Sequence, residues 1–202
     1  MHFHLLPIVV LSLQANNHDT SIVFIFRACA SHLECDRSHE GAAMSKVARP
    51  RIEEFPLIWR WRQATHAIFA RSDLATLQPC TPIEAQAIRA QTRTYIVRNG
   101  WTINCSEQTS ISVRDVSQSK GCAWLRSLVP DLLEEIIVSW DDCMALWTKW
   151  ELFTRCWDDF CYPFDDVIII PKQDNWLLWH SPNEVLHFGR CARSDVLNIQ
   201  HD

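Results

Sequence analysis

The stretch Ile136–Arg190 constrains this chain most, because it sets apolar runs of strand length among turn residues and one helical stripe. Ile136-Ile137-Val138-Ser139-Trp140 is a largely β-branched run. Val167–Ile170, Trp176–His180 and Val185–Phe188 are three more, parted by Pro171–Asn175 and by Ser181-Pro182-Asn183-Glu184. Such runs predict an antiparallel meander. With Pro182-Asn183 as a two-residue loop, Ser181 faces Glu184, and His180 and His187 share a sheet face with Trp176 and Leu178. Between the first two runs, Leu146, Trp150, Phe153 and Trp157 recur at helical spacing, with Asp141-Asp142 placed to cap the helix. Glu151 and Arg155 form an i,i+4 pair on its outer side.

Two shorter helices precede this stretch. Thr81-Pro82-Ile83-Glu84 is a helix start, with Thr81 as cap, Pro82 in the first turn and Glu84 as the acid of a capping box. That helix meets no breaker before Asn99-Gly100, although the β-branched Thr94–Val97 competes as a strand. Lys120–Leu128 is the second, stopped before Pro130. Thr102–Ser119 is polar and reads as loop with one strand at Ile111–Val113. The expected fold is therefore α+β: an antiparallel meander with the Ile136 strand, packed against a Trp-rich amphipathic helix and flanked by two shorter helices.

Composition excludes several function classes. The chain has 19 basic and 24 acidic residues, net charge -5, which disfavours a grip on nucleic-acid phosphates. Trp59 and Trp61 alternate with Arg60 and Arg62, a pattern able to stack on bases. In an acidic chain the expected arrangement is rings inward and arginines to solvent, after an irregular start at Arg49 and before a strand at Thr65–Phe69. No run reaches the roughly 18 apolar residues of a membrane span. With four glycines there is no phosphate cradle, and no cofactor is implied.

The first 43 residues differ from the rest. They read as a leader, non-native or without fixed structure, ahead of one domain at 44–202. Met44-Ser-Lys opens a polar start, and the preceding residues are codable as a ribosome-binding site, so translation is expected to begin at Met44. Leu5–Leu13 with Ala28-Cys29-Ala30 suggests a secretory signal, but no basic residue precedes the run. A zinc site from Cys29, His32, Cys35 and His39 lacks a recurring spacing. From Met44 onward there are seven cysteines and no CxxC, as in a cytoplasmic protein with reduced thiols.

Asp158, Asp159, Asp165 and Asp166 fall close together with no Lys or Arg among them. Asp158 and Asp159 are expected at or just past the C-terminus of the tryptophan helix, where the dipole disfavours negative charge. Three readings compete. The four cap turns through nearby N–H groups, present an acidic face to a basic protein partner, or hold a divalent cation. The expected function is a non-enzymatic protein-binding module using this acidic loop, with no catalytic residues and no set oligomeric state. The alternative is a metal-dependent hydrolase whose candidate ligands are Asp158, Asp166, His180 and His187.

The run VSWDDCMALWTKWELFTRCWDDFCYP, continued by DDVIIIP and NWLLWHSPNEVLHFGR, resembles small bacterial proteins of uncharacterised function with a WDDFCYP core. The resemblance covers residues 136–190 and, weakly, 51–135. It implies no catalytic residues. Its helix-and-meander layout is similar to small α+β immunity proteins, which implies a toxin as the partner class by analogy of fold alone.

Overall fold

A seven-stranded antiparallel sheet organises the residues that the computed structural model describes: 49–62, 69–173 and 175–191. Along the chain these form α1 (Trp59–Arg62), α2 (Arg71–Leu74), β1 (Gln78–Pro79), α3 (Pro82–Thr92), β2 (Ile96–Val97), β3 (Thr102–Ile103), β4 (Ser106–Ser112) and α4 (Gln118–Leu128). Then follow β5 (Glu135–Ser139), β6 (Ala145–Lys149), α5 (Trp150–Arg155), α6 (Trp157–Phe160), β7 (Val167–Pro171), β8 (Trp176–Ser181) and β9 (Val185–Arg190). The order across the sheet is β1-β6-β5-β7-β8-β9-β4, while β2 and β3 pair separately. The α+β class and the β7-β8-β9 meander are as expected.

Strands β7 and β8 are buried at every position, which requires cover on both faces. Ile136, Val138, Ile169, Trp176, Leu178 and Leu186 join a layer with Trp61, Leu125, Trp150, Phe153 and Phe160. Ile137, Trp147, Ile168, Ile170, Leu177 and Trp179 pack on the opposite side with Ala85 and Ile88 of α3 and Ile103 of β3. Strand β4, at one edge, is exposed along almost its whole length, and that edge position explains its polar sequence.

The expected tryptophan helix is strand in its first half. Residues Ala145–Lys149 pair with β5, with Ile137 opposite Trp147 and Ser139 opposite Ala145. Asp141 caps no helix; its Oδ1 accepts the N–H groups of Cys143 and Met144, each at 2.7 Å, and closes the β5–β6 turn. Sheet partners on both edges, β5 and β1, outweigh local helical spacing. Leu146 reaches the same aromatic cluster from a strand, which imitates the helical stripe; Trp150, Phe153 and Trp157 carry it in fact. Arg155 pairs with Asp73 at 2.8 Å.

The start of α3 is realised as read. Thr81 Oγ1 accepts the Glu84 N–H, and the Glu84 carboxylate accepts the Thr81 N–H at 2.7 Å. The helix stops at Thr92, short of Asn99, and Ile96–Val97 forms the competing strand. The leader with its Met44 start, Cys29, His32, Cys35 and His39, and the start of the Thr65 strand lie outside the described residues. In α1, Trp61 is buried between Phe55 and Phe69 and Arg62 faces solvent, as expected, whereas Trp59 is exposed and Arg60 is buried, the reverse of the expected arrangement, because Arg60 turns inward to an acidic partner.

Candidate functional site: the loop after α6

The helical run breaks at Cys156, whose φ of -126° and ψ of 33° leave the helical region, and α6 restarts the turn. Asp158 and Asp159 therefore lie just past the end of α5, as expected, but inside the single turn of α6. After α6, Cys161-Tyr162-Pro163-Phe164 bends back on itself. The Asp165 N–H donates to the Tyr162 carbonyl at 3.0 Å, and the Tyr162 N–H donates to Asp165 Oδ2 at 3.0 Å. At the apex Phe164 takes a left-handed φ of 68° and is 76% exposed.

Arginines far away in sequence meet the loop's last two carboxylates. Arg60 forks onto Asp165 at 2.6 and 3.2 Å, with its guanidinium 4.1 Å from the centre of the Tyr162 ring. Asp166 pairs with Arg89 at 2.8 Å and Arg98 at 2.5 Å, and accepts the Trp179 indole N–H at 2.7 Å. Arg89 also donates to the Asp166 backbone carbonyl at 3.3 Å. Burial pulls the Arg89 guanidinium below its ordinary value, and Asp166 opposes the fall. Two of the four carboxylates are thus counter-ions that pin the loop to α1, α3 and the turn carrying Arg98.

The other two differ. Asp159 is buried, whereas Asp158 is half-buried and accepts the Gln118 amide at 3.0 Å. The Tyr162 hydroxyl lies within their field: burial raises it most, then Asp159, with Asp165 and Asp158 adding and Arg60 opposing.

His180 and His187 do not share a sheet face. Ser181 opposes Val185, so the hairpin loop has three residues, Pro182, Asn183 and Glu184, with Glu184 at a φ of 59°. A loop one residue longer than expected shifts the register, and His187 stands opposite Trp179 instead of beside His180. His180 is buried, its Nδ1 3.1 Å from the Asp165 carbonyl oxygen, while His187 stacks on Trp179 at 5.1 Å. Burial lowers both imidazoles below their ordinary value. The structure therefore does not gather Asp158, Asp166, His180 and His187. Among the described residues no group of three or more His, Cys, Asp or Glu side chains is placed to hold a metal ion.

Around the Asp165–Asp166 anchor the surface is aromatic. Trp59, 40% exposed, meets Tyr162 edge-on at 5.9 Å, and Trp101, 42% exposed, stacks on Trp179 at 6.3 Å. Sequence reasoning missed Phe164 and the three arginines. The apolar residue between Pro163 and Asp165 was a local sign of the first, but nothing local marks Arg60, Arg89 or Arg98. No family model matches the chain, and no curated protein or solved structure matches it. No helix among the described residues is long and apolar enough to cross a membrane.

Proposed function

We propose that this chain is a non-enzymatic protein-binding module whose 158–166 loop docks a partner. Phe164 enters an apolar pocket of that partner, and Asp158 meets a basic rim. The observation that carries this reading is Phe164 itself: a bulky residue in a left-handed conformation, three-quarters exposed, on a loop held from below by ion pairs. Bulky residues rarely adopt such a φ, and holding one there costs on the order of 1–3 kcal/mol. Folding sustains that cost only where the surroundings over-determine the backbone, as Arg60, Arg89 and Arg98 do for this loop. An aromatic ring fixed in advance loses little freedom on binding, which suits it to anchor an interface. The acidic residues retain a part in this reading, with Asp158 steering a basic partner and Asp165 and Asp166 shaping the loop. The likeness to bacterial proteins with a WDDFCYP core adds a bacterial setting to the proposal and no activity, and the seven cysteines from Met44 onward, without a CxxC, add a cytoplasmic one.

The test is a pull-down from cells that make the protein naturally, using the full chain, Phe164→Ser and Asp158→Asn as baits of equal folded content. Expected is a stoichiometric partner lost with Phe164→Ser and, for Asp158→Asn, weakened most at low salt. Equal capture by wild type and Phe164→Ser overturns the reading.

A further inference from the structure

Cys105 and Cys191 are far apart in the chain and meet at the sheet's β4 edge. Ser106 pairs with Arg190 in the β4–β9 ladder, so the next step outward sets Cys105 opposite Cys191. Their sulfurs lie 2.6 Å apart. Both backbones are tied: the Ser106 hydroxyl donates to the Arg190 carbonyl at 2.9 Å, and the Cys191 N–H donates to the Asn175 carbonyl at 2.7 Å. Gly189 permits this approach, since a Cβ there would meet Cys105 Cβ and Ile103 Cδ1 at 2.7 Å. Directly opposed residues of an antiparallel pair have Cα atoms about 4.5–5.5 Å apart, inside the range a disulfide spans.

We infer that Cys105 and Cys191 form a dithiol modification site, which small disulfides of the glutathione class oxidise to an internal disulfide. Cys105 differs from the buried Cys80, Cys156 and Cys161. Burial pushes Cys80 up to about 12 and raises Cys156 and Cys161, which keeps those sulfurs protonated. Cys105 is half-exposed, and the hydrogen bond from Cys191 lowers its thiol. Cys105, having given its proton to solvent, attacks one sulfur of the small disulfide, breaks that S–S bond and releases one small thiolate. Cys191, losing its proton in turn, attacks the Cys105 sulfur of the mixed disulfide and expels the second small thiolate. The two protein thiols are oxidised, and one small disulfide is reduced to two thiols. The product ties the segment before β4 to the end of β9 across 86 residues of chain, locking the exposed edge strand to its one neighbour in the sheet among the described residues.

The experiment uses the full chain, fully reduced and then incubated with oxidised glutathione, with alkylation of remaining thiols and peptide mapping. Expected is a Cys105–Cys191 linked peptide, and a Tm several degrees above that of the reduced protein which a dithiol reductant reverses. In Cys191→Ser the same treatment leaves glutathione on Cys105, because the resolving thiol is gone. Recovery of both cysteines alkylated in the wild type overturns the assignment, as does a lasting glutathione adduct on Cys105 of the wild type. A linked peptide with unchanged Tm overturns the edge-lock part.

Discussion

Replacing Asp166 by Asn tests whether the loop's acids are internal counter-ions. The asparagine keeps the shape and an acceptor for the Trp179 indole, so the change is mainly one of charge. Arg89 is 5% exposed and loses its counter-ion, whereas Arg98 is 53% exposed and can turn to water. Breaking a buried pair from one side costs about 3–5 kcal/mol, because the remaining charge stays desolvated. Arg98 adds no more than about 1 kcal/mol, as surface pairs do. With a urea slope of about 2 kcal/mol/M, the unfolding midpoint falls by about 2 M, a large part of a typical domain's stability of about 5–15 kcal/mol. Asp158→Asn, at a half-buried carboxylate with a neutral partner, moves the midpoint by less than about 0.5 M. Tryptophan fluorescence in urea reads both. Equal, small shifts in the two variants would refute the internal-counter-ion account.

Other expectations follow from packing and protonation. Gly121→Ala is destabilising by about 1–3 kcal/mol despite alanine's better helix propensity, since its Cβ would meet the Trp157 indole nitrogen at 2.5 Å; thermal unfolding checks the sign. His180 is buried neutral, with its folded pKa lowered mainly by burial. Above the unfolded value near pH 6.5 neither state binds a proton, and stability is flat in this group. Below it the unfolded chain takes the proton first, so stability falls with pH by up to about 1.4 kcal/mol per unit until the folded pKa is passed. His180→Gln reduces that acid slope in urea midpoints taken from pH 7 to 5. Thr81→Ala costs about 1 kcal/mol by removing the α3 cap, and chemical denaturation measures it.

What the sequence disclosed tracks the range of the interactions involved. Thr81-Pro82-Ile83-Glu84 was legible because a capping box is closed by residues three apart. Strands β5, β7 and β8 were legible because burial on both faces demands largely apolar runs, and β9 because Leu186 and Phe188 alternate with half-buried residues. The hairpin register was not, since one residue in the β8–β9 loop decides which face His187 takes. Residues Ala145–Lys149 misled because Leu146 feeds the same aromatic cluster as Trp150 and Phe153, and only the β1 and β5 partners distinguish strand from helix. At the site the four aspartates were visible and their counter-ions were not. Arg60 and Arg89 come from α1 and α3, and folding alone brings them to Asp165 and Asp166. The Cys105–Cys191 pair is equally non-local, so a search for CxxC passes over it.

Photo-crosslinking from position 164 tests the docking account most directly. A benzophenone amino acid replaces Phe164 in one full-length protein and Ile83 in another, since Ile83 is also apolar and 71% exposed but lies on α3. Both are irradiated in the cells that naturally make the chain. The account predicts one discrete adduct from position 164 that is absent from position 83 and diminished by Asp158→Asn. The same adducts from both positions, or none from 164, would contradict it.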